Sequence, residues 1–292
     1  MIGNNNENKK VLIFDLDDTI VECQYNYCKT IVKFLDKMTD IFGKCCPHPK
    51  LVALVQEQTD IELMRKHLFN KERFPNSMVL TYKHFHKEIF GNEYYNENYI
   101  KEIEDIGFSV YKIVPKPIEN AIETLKNLKL QGYILYMYTL GDEKVQKYKI
   151  INNRLDKIFD WDHIFIRPKK TVDELAEIYD HIKSNHGNIP KRDIYMVGDS
   201  LRSDIIPAVN FGINAIQVLT NSWTYNNIDA KEKNYLEISK IDELTNLGLK
   251  QLFYWQSKKK RLQWNYTDLH KKSLIKALFC LFYKYKVIIN SL

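Results

Sequence analysis

The sequence predicts an α/β protein: a parallel sheet of five strands with an all-helical block inserted after the first of them. Three observations carry that expectation. The apolar run Val11-Leu12-Ile13-Phe14 has strand length and ends directly at Asp15. Residues 26–112 then show helical periodicity with little strand signal. From Pro117 on, short apolar runs alternate with helix-length segments, the pattern of parallel strands joined by right-handed crossovers.

Each element has its own signature. A run that is apolar at every position suits a central strand covered on both faces. In the helical block, Ile31, Phe34, Leu35, Met38, Ile41 and Phe42 recur at helical spacing, and Gly43 follows as a stop. Residues 51–68, 77–90 and 99–111 read as further helices, punctuated by Pro47, Pro49, Pro75 and Gly91. After Pro117, a helix over 119–130 stops near Gly132 and the strand 133–138 follows. Next come a helix over 143–155, a strand at 163–166, a helix over 172–186 ended by Gly187, and a strand at 194–197. A last helix before Gly212 leads to the strand 214–218. The expected organisation is a discontinuous core (1–25 and 113–249), a helical block (26–112) and a C-terminal accessory segment (250–292).

Composition narrows the function. A chain of 292 residues with 45% apolar content can bury a substantial core. The net charge is +6, but residues 250–292 hold ten Lys/Arg and one acid, Asp268, which leaves the preceding chain at −3. A nucleic-acid partner therefore cannot be argued from overall charge and would have to use the tail. Cys23, Cys28, Cys45, Cys46 and Cys280 are odd in number and lack metal or redox spacing, as expected of reduced thiols in the cytoplasm. The first ten residues contain no apolar segment of the secretory type. No run reaches the ~18–20 apolar residues of a membrane span. A cytoplasmic protein is the expectation.

Asp15 and Asp17 lie two residues apart at the carboxyl end of a buried strand, on one side of an extended chain. Crowding like charges is costly unless a cation or a proton-transfer task uses them. In open α/β sheets, ligands bind beyond the carboxyl ends of the strands, and three later strand ends carry polar residues that suit one chemistry. Thr139 follows the strand 133–138, Lys169 and Lys170 follow 163–166, and Gly198-Asp199-Ser200-Leu201-Arg202-Ser203-Asp204 follows 194–197. A carboxylate can attack phosphorus to form an aspartyl phosphate, splitting one hard displacement into two. A second carboxyl can protonate the leaving alkoxide and then activate water. Mg²⁺ suits such oxygen ligands, with Asp199 as a further one. A hydroxyl and a lysine would hold the phosphoryl oxygens.

Taken in order, Asp15-Leu-Asp-Asp-Thr19, Thr139, Lys170, and Gly198-Asp199 with Asp204 resemble the four signature motifs of haloacid dehalogenase-like hydrolases, over roughly residues 8–220. No one of them is specific alone; the ordered set is. The resemblance implies a Rossmann-like core with an alpha-helical cap where the inserted block lies. It implies Asp15 as nucleophile and Asp17 as acid/base, with Asp15, the Asp17 backbone carbonyl and Asp199 on the metal. Thr139 and Lys170 would bind phosphate, and Asp204 would lie near the metal or the lysine. The stretches around Thr139 and Asp199 resemble a phosphatase-type subgroup, and the family's dehalogenases lack the acid/base Asp present here at position 17. A Mg²⁺-dependent phosphatase for a small phosphomonoester is therefore expected; a phosphotransferase or phosphomutase uses the same motifs. A cap that closes over small substrates excludes water, and Arg73, beginning a cap helix, is the candidate for substrate selection.

Several of these residues also have plainer roles. Thr171 reads as an N-cap with Glu174 completing a capping box, and similar subgroup members place the motif lysine just before such a cap, which favours Lys170 over Lys169. Asp18 and Asp142 read as exposed turn or cap acids, and Arg73 also fits a solvated helix start. In the tail, Lys258-Lys-Lys-Arg261 with its flanking aromatics suits nucleic acid, and residues 274–289 suit an anionic membrane surface. An accessory helical segment with a solvated basic linker is simpler. The rival from another class is a non-catalytic binding protein that keeps the fold and uses this tail.

Overall fold

A computed structural model describes residues 9–220, 223–226 and 234–246; the basic tail, with every expectation placed on it, lies outside them. The chain enters through β1 (Val11–Phe14), whose four residues are all buried, and then leaves the sheet for a helical insert. The insert comprises α1 (Gln24–Phe42), α2 (Pro49–His67), α3 (Arg73–Phe90) and α4 (Glu97–Ser109). Its apolar faces meet around Phe34, Met38, Val52, Met78, Tyr82 and Ile103, each side chain contributing about 1.5–3 kcal/mol by burial. Where α3 crosses α4, a Cβ on Gly107 would lie 2.6 Å from the Pro75 Cα. Only glycine permits that approach.

The chain returns through α5 (Ala121–Leu130) to β2 (Ile134–Leu140), then α6 (Glu143–Asn152), β3 (Ile164–Arg167), α7 (Val172–His186), β4 (Ile194–Gly198), α8 (Ile206–Phe211), β5 (Asn214–Val218) and β6 (Leu236–Ile238). All strands are parallel, in the order β3-β2-β1-β4-β5-β6. Val11, Ile13, Tyr136, Tyr138, Ile194 and Met196 share a core with Leu175, Ile178 and Ile182 of α7. Phe14 turns instead toward Phe159, edge to face at 6.4 Å.

Among the described residues the sheet has six strands rather than the five expected. Leu236–Ile238 is three residues long, too short for a period-two pattern to register. Two helix starts also differ. The apolar spacing begins at Ile31, but α1 begins at Gln24 because the Asp18 carboxylate accepts from the backbone N–H groups of Cys23 (2.8 Å) and Gln24 (2.9 Å), satisfying donors that a helix start leaves open. Pro75 reads as a break, yet it sits in the first turn of α3, where its missing N–H costs nothing. Among the described residues, no helix is long and apolar enough to cross a membrane.

Candidate active site

The strand order reverses between β1 and β4, which opens a crevice at their carboxyl ends. Asp15 extends the β1–β4 ladder by one bond, its N–H donating to the Val197 carbonyl at 2.9 Å. Register does the rest. Phe14 pairs with Val197 on one side and Met137 on the other, so Asp15, Asp199 and Thr139 emerge at nearly one level. Thr139 lies inside β2 rather than just after it. Past Asp15 the chain turns back at once: the N–H groups of Ile20 and Val21 both donate to the Leu16 carbonyl, at 2.9 and 3.1 Å. Asp18, at φ +59°, sits in that turn and caps α1, half-buried rather than exposed. Asp142 is likewise a cap, accepting from the N–H groups of Lys144 and Val145 at the start of α6.

Asp15, Asp199 and Asp204 are buried, and one oxygen from each lies within 4.8 Å of the others. Lys170 Nζ reaches into the group, 2.6 Å from Asp15 Oδ1 and 2.5 Å from Asp204 Oδ1, on a side chain only 1% exposed. Lys169 is exposed, so the structure assigns the inward lysine to position 170. The expected capping box is half formed. Thr171 Oγ1 accepts from Glu174 N–H at 3.3 Å, but the Glu174 carboxylate accepts from the Tyr138 hydroxyl at 3.0 Å.

Asp204 arrives by an unexpected local feature. Leu201–Ile205 is a π-helical turn, with Ile205 N–H donating to the Ser200 carbonyl at 3.1 Å, and such turns widen a helix start at functional sites. The widened turn lays the Asp204 carboxylate over the end of β4, where Oδ2 accepts from Ser200 N–H at 3.0 Å. A Cβ at position 198 would lie 2.6 Å from the Asp204 Cβ, so β4 must end in glycine.

Asp17 points elsewhere. Lys149 Nζ donates to its Oδ1 and Oδ2 at 2.9 and 2.8 Å, and Gln146 Nε2 donates to Oδ2 at 3.0 Å. The same Gln146 nitrogen is 2.8 Å from Thr139 Oγ1 and also contacts the Leu140 carbonyl. Neither Gln146 nor Lys149 stood out in the sequence. Their signal is that they lie three residues apart on the helix after Thr139, hence on one face.

The electrostatics follow from burial. For Asp15 burial is the largest influence and raises its carboxyl to about 7; Lys170 pulls it down, while Asp204 and Asp17 push it further up. Burial also opposes the charge on Lys170, but the Asp15 and Asp204 carboxylates more than offset this and hold its ammonium protonated. Burial would likewise raise Asp17, yet the charge and hydrogen bonds of Lys149, with that of Gln146, keep its carboxyl below the ordinary value. The Cys23 thiol is pushed far up by burial and the neighbouring Asp17, which leaves it protonated and a poor nucleophile.

In this site four carboxylates (Asp15, Asp17, Asp199, Asp204) face two ammonium groups (Lys149, Lys170). An all-oxygen donor set with excess negative charge fits a hard divalent cation such as Mg²⁺. Above it lies a cavity of about 380 Å³ bounded by Asp15, Thr139, Lys170 and Asp199 below and by Gln56, Asp60 and Arg73 of the insert. Arg73 is not a solvated helix start. It is 7% exposed, ion-paired with Asp60 through Nη1, and its guanidinium lies 5.5 Å from the Phe69 ring and 5.3 Å from that of Trp223.

A model of the haloacid dehalogenase-like hydrolases matches residues 9–212. No curated protein is significantly similar in sequence. Among solved structures, a haloacid dehalogenase-like family hydrolase from Xanthomonas campestris superposes with a TM-score of 0.65 at 18% identity, covering 87% of this chain and 96% of its own. YfnB from Bacillus subtilis, a protein of the same type solved with magnesium, gives 0.54 at 19%, covering 82% and 98%. A Haemophilus somnus protein described as a predicted phosphoglycolate phosphatase gives 0.54 at 18%, covering 83% and 99%. At these identities the superpositions speak to the fold, with its helical insert between β1 and β2. The family model covers most of the chain, and the residues of all four motifs gather at one crevice: the chain belongs to the haloacid dehalogenase-like hydrolases.

Proposed function

We propose that this protein is a Mg²⁺-dependent phosphatase acting on a small phosphomonoester through a phosphorylated Asp15. The observation that carries the reading is the company Asp15 keeps. It sits between the Lys170 ammonium and the Asp199 carboxylate at the floor of the cavity, with a second carboxyl, Asp17, two residues away. Bound there, Mg²⁺ would be held by Asp15, Asp199 and the Asp17 backbone carbonyl, and would supply charge neutralisation for the phosphoryl group.

The protein's own groups divide the remaining work. The Asp15 carboxylate attacks phosphorus, and the P–O bond to the leaving group breaks. Asp17, ionised against Lys149 in this structure, must first take up a proton. It gives that proton to the departing oxygen, then takes one from the water that attacks the aspartyl phosphate, which releases inorganic phosphate and restores Asp15. Thr139 Oγ1 accepts from Gln146, which leaves its O–H to donate to a phosphoryl oxygen. Lys170 neutralises charge on another, and Asp204 holds that lysine in place. A dehalogenase reading would leave Asp17 without a task. Arg73 lines the cavity opposite, with Gln56 and Asp60, which supports a part for it in selecting what the phosphate is attached to.

Hydrolysis of an aryl phosphate, with and without Mg²⁺, tests this. Turnover should need Mg²⁺, stop in excess chelator and vanish in Asp15→Asn, whose shape is nearly unchanged. Metal-independent turnover, or a working Asp15→Asn variant, would contradict it.

A further inference from the structure

Asp17 carries both proton transfers in the reaction proposed above, yet its carboxylate is not part of the Asp15–Asp199–Asp204 cluster. It is gripped from α6. Lys149 reaches both carboxylate oxygens and Gln146 one of them. Lys149 is buried and borders a small side cavity of about 50 Å³ together with Asp17 and Gln146; it does not line the larger cavity over Asp15. An ammonium placed there is not positioned to hold a phosphoryl group. Burying it against a carboxylate is favourable only with good geometry and further hydrogen bonds, and the two-oxygen contact with the Gln146 amide supplies both.

The grip extends to Thr139. A single Gln146 nitrogen lies within reach of Asp17 Oδ2, Thr139 Oγ1 and the Leu140 carbonyl. Those acceptors fix the amide with its nitrogen inward. Gly141, at φ +137°, makes room for it, since a Cβ there would lie 3.2 Å from Gln146 Cδ.

We infer that Lys149 and Gln146 are positioning residues that act through Asp17, holding its carboxyl in register with the hydroxyl of Thr139. The inference rests on the phosphatase reading of the site. A general base must come within about 2.6–3.2 Å of the group whose proton it takes, and the ionised carboxylate gripped here is the form that accepts a proton from the attacking water. A carboxylate held at both oxygens presents its remaining lone pairs in one direction, whereas one held at neither samples many. Lys149 therefore affects turnover only while residue 17 can transfer a proton.

The test is a double-mutant cycle between Lys149 and Asp17, read as kcat and KM for an alkyl phosphate in saturating Mg²⁺. Lys149→Met should lower kcat roughly 10–10²-fold, the scale of a misplaced catalytic group, with KM changed by less than about twofold. Lys149→Arg should recover most of the loss. In the Asp17→Asn background, Lys149→Met should cost nothing further. Thermal melting of every variant establishes that it is folded. If Lys149→Met does not fold, Lys149→Gln, which keeps one donor, takes its place in the cycle. Equal losses in both backgrounds, or no loss in either, would overturn the inference while leaving the phosphatase reading intact. Wild-type protein silent toward every phosphomonoester would overturn both.

Discussion

The Arg73–Asp60 pair shows how far a single residue's role depends on what faces it. Both side chains are buried, on α3 and α2 respectively, and the guanidinium lies between two aromatic rings at the cavity wall. Removing one partner leaves the other's charge buried and unpaired. Asp60→Ala should therefore destabilise the protein by about 3–5 kcal/mol, measured by denaturant unfolding. A double change to a similarly sized apolar pair should cost much less. If Asp60→Ala unfolded like wild type, the pair would not be the structural tie described. The motif acids were legible in the sequence because strand ends in a parallel sheet converge, so position in the chain implied position in space. Lys149, Gln146 and the Asp60 partner of Arg73 were not legible. A lysine or glutamine on a helix looks the same whether it meets water or a carboxylate, and only the packing of α6 and α2 decides.

At the level of elements, the β4 end joins a glycine to a π-helical turn so that Asp204 can fold back over the strand. Gly198→Ala would place its new Cβ 2.6 Å from the Asp204 Cβ, and backbone or carboxylate must move. Such overpacking costs about 1–3 kcal/mol. Because Asp204 orients Lys170, turnover should fall by roughly 10²-fold. Unchanged kcat in a folded Gly198→Ala variant would mean that Asp204 is not held in the position described. The alternation of strands and helices after Pro117 was readable from periodicity. β6 was not, being three residues long, and neither was the π turn, whose extra residue leaves no mark in composition. The α1 start escaped a periodicity argument because it is set by the Asp18 carboxylate and not by apolar spacing.

At the scale of the molecule, the sheet supplies the chemistry and the helical insert supplies the cavity roof. The carboxyl ends of β1, β2 and β4 gather the acids and the threonine, while α2 and α3 enclose the space above them. A parallel sheet makes this division natural, since its switch point is a fixed crevice and an insertion after β1 begins beside it. The central claim is that Asp15 becomes covalently phosphorylated during turnover. Acid quenching of the protein in steady state with a phosphomonoester and Mg²⁺, followed by peptide mass spectrometry, tests it most directly. One phosphoryl group should appear on the peptide containing Asp15 and be lost when substrate is exhausted before the quench. It should accumulate in Asp17→Asn with an aryl phosphate, whose good leaving group needs no acid and leaves the hydrolytic step as the one expected to slow. Sustained turnover with no modified Asp15, or with the phosphoryl group on another residue, would contradict the account.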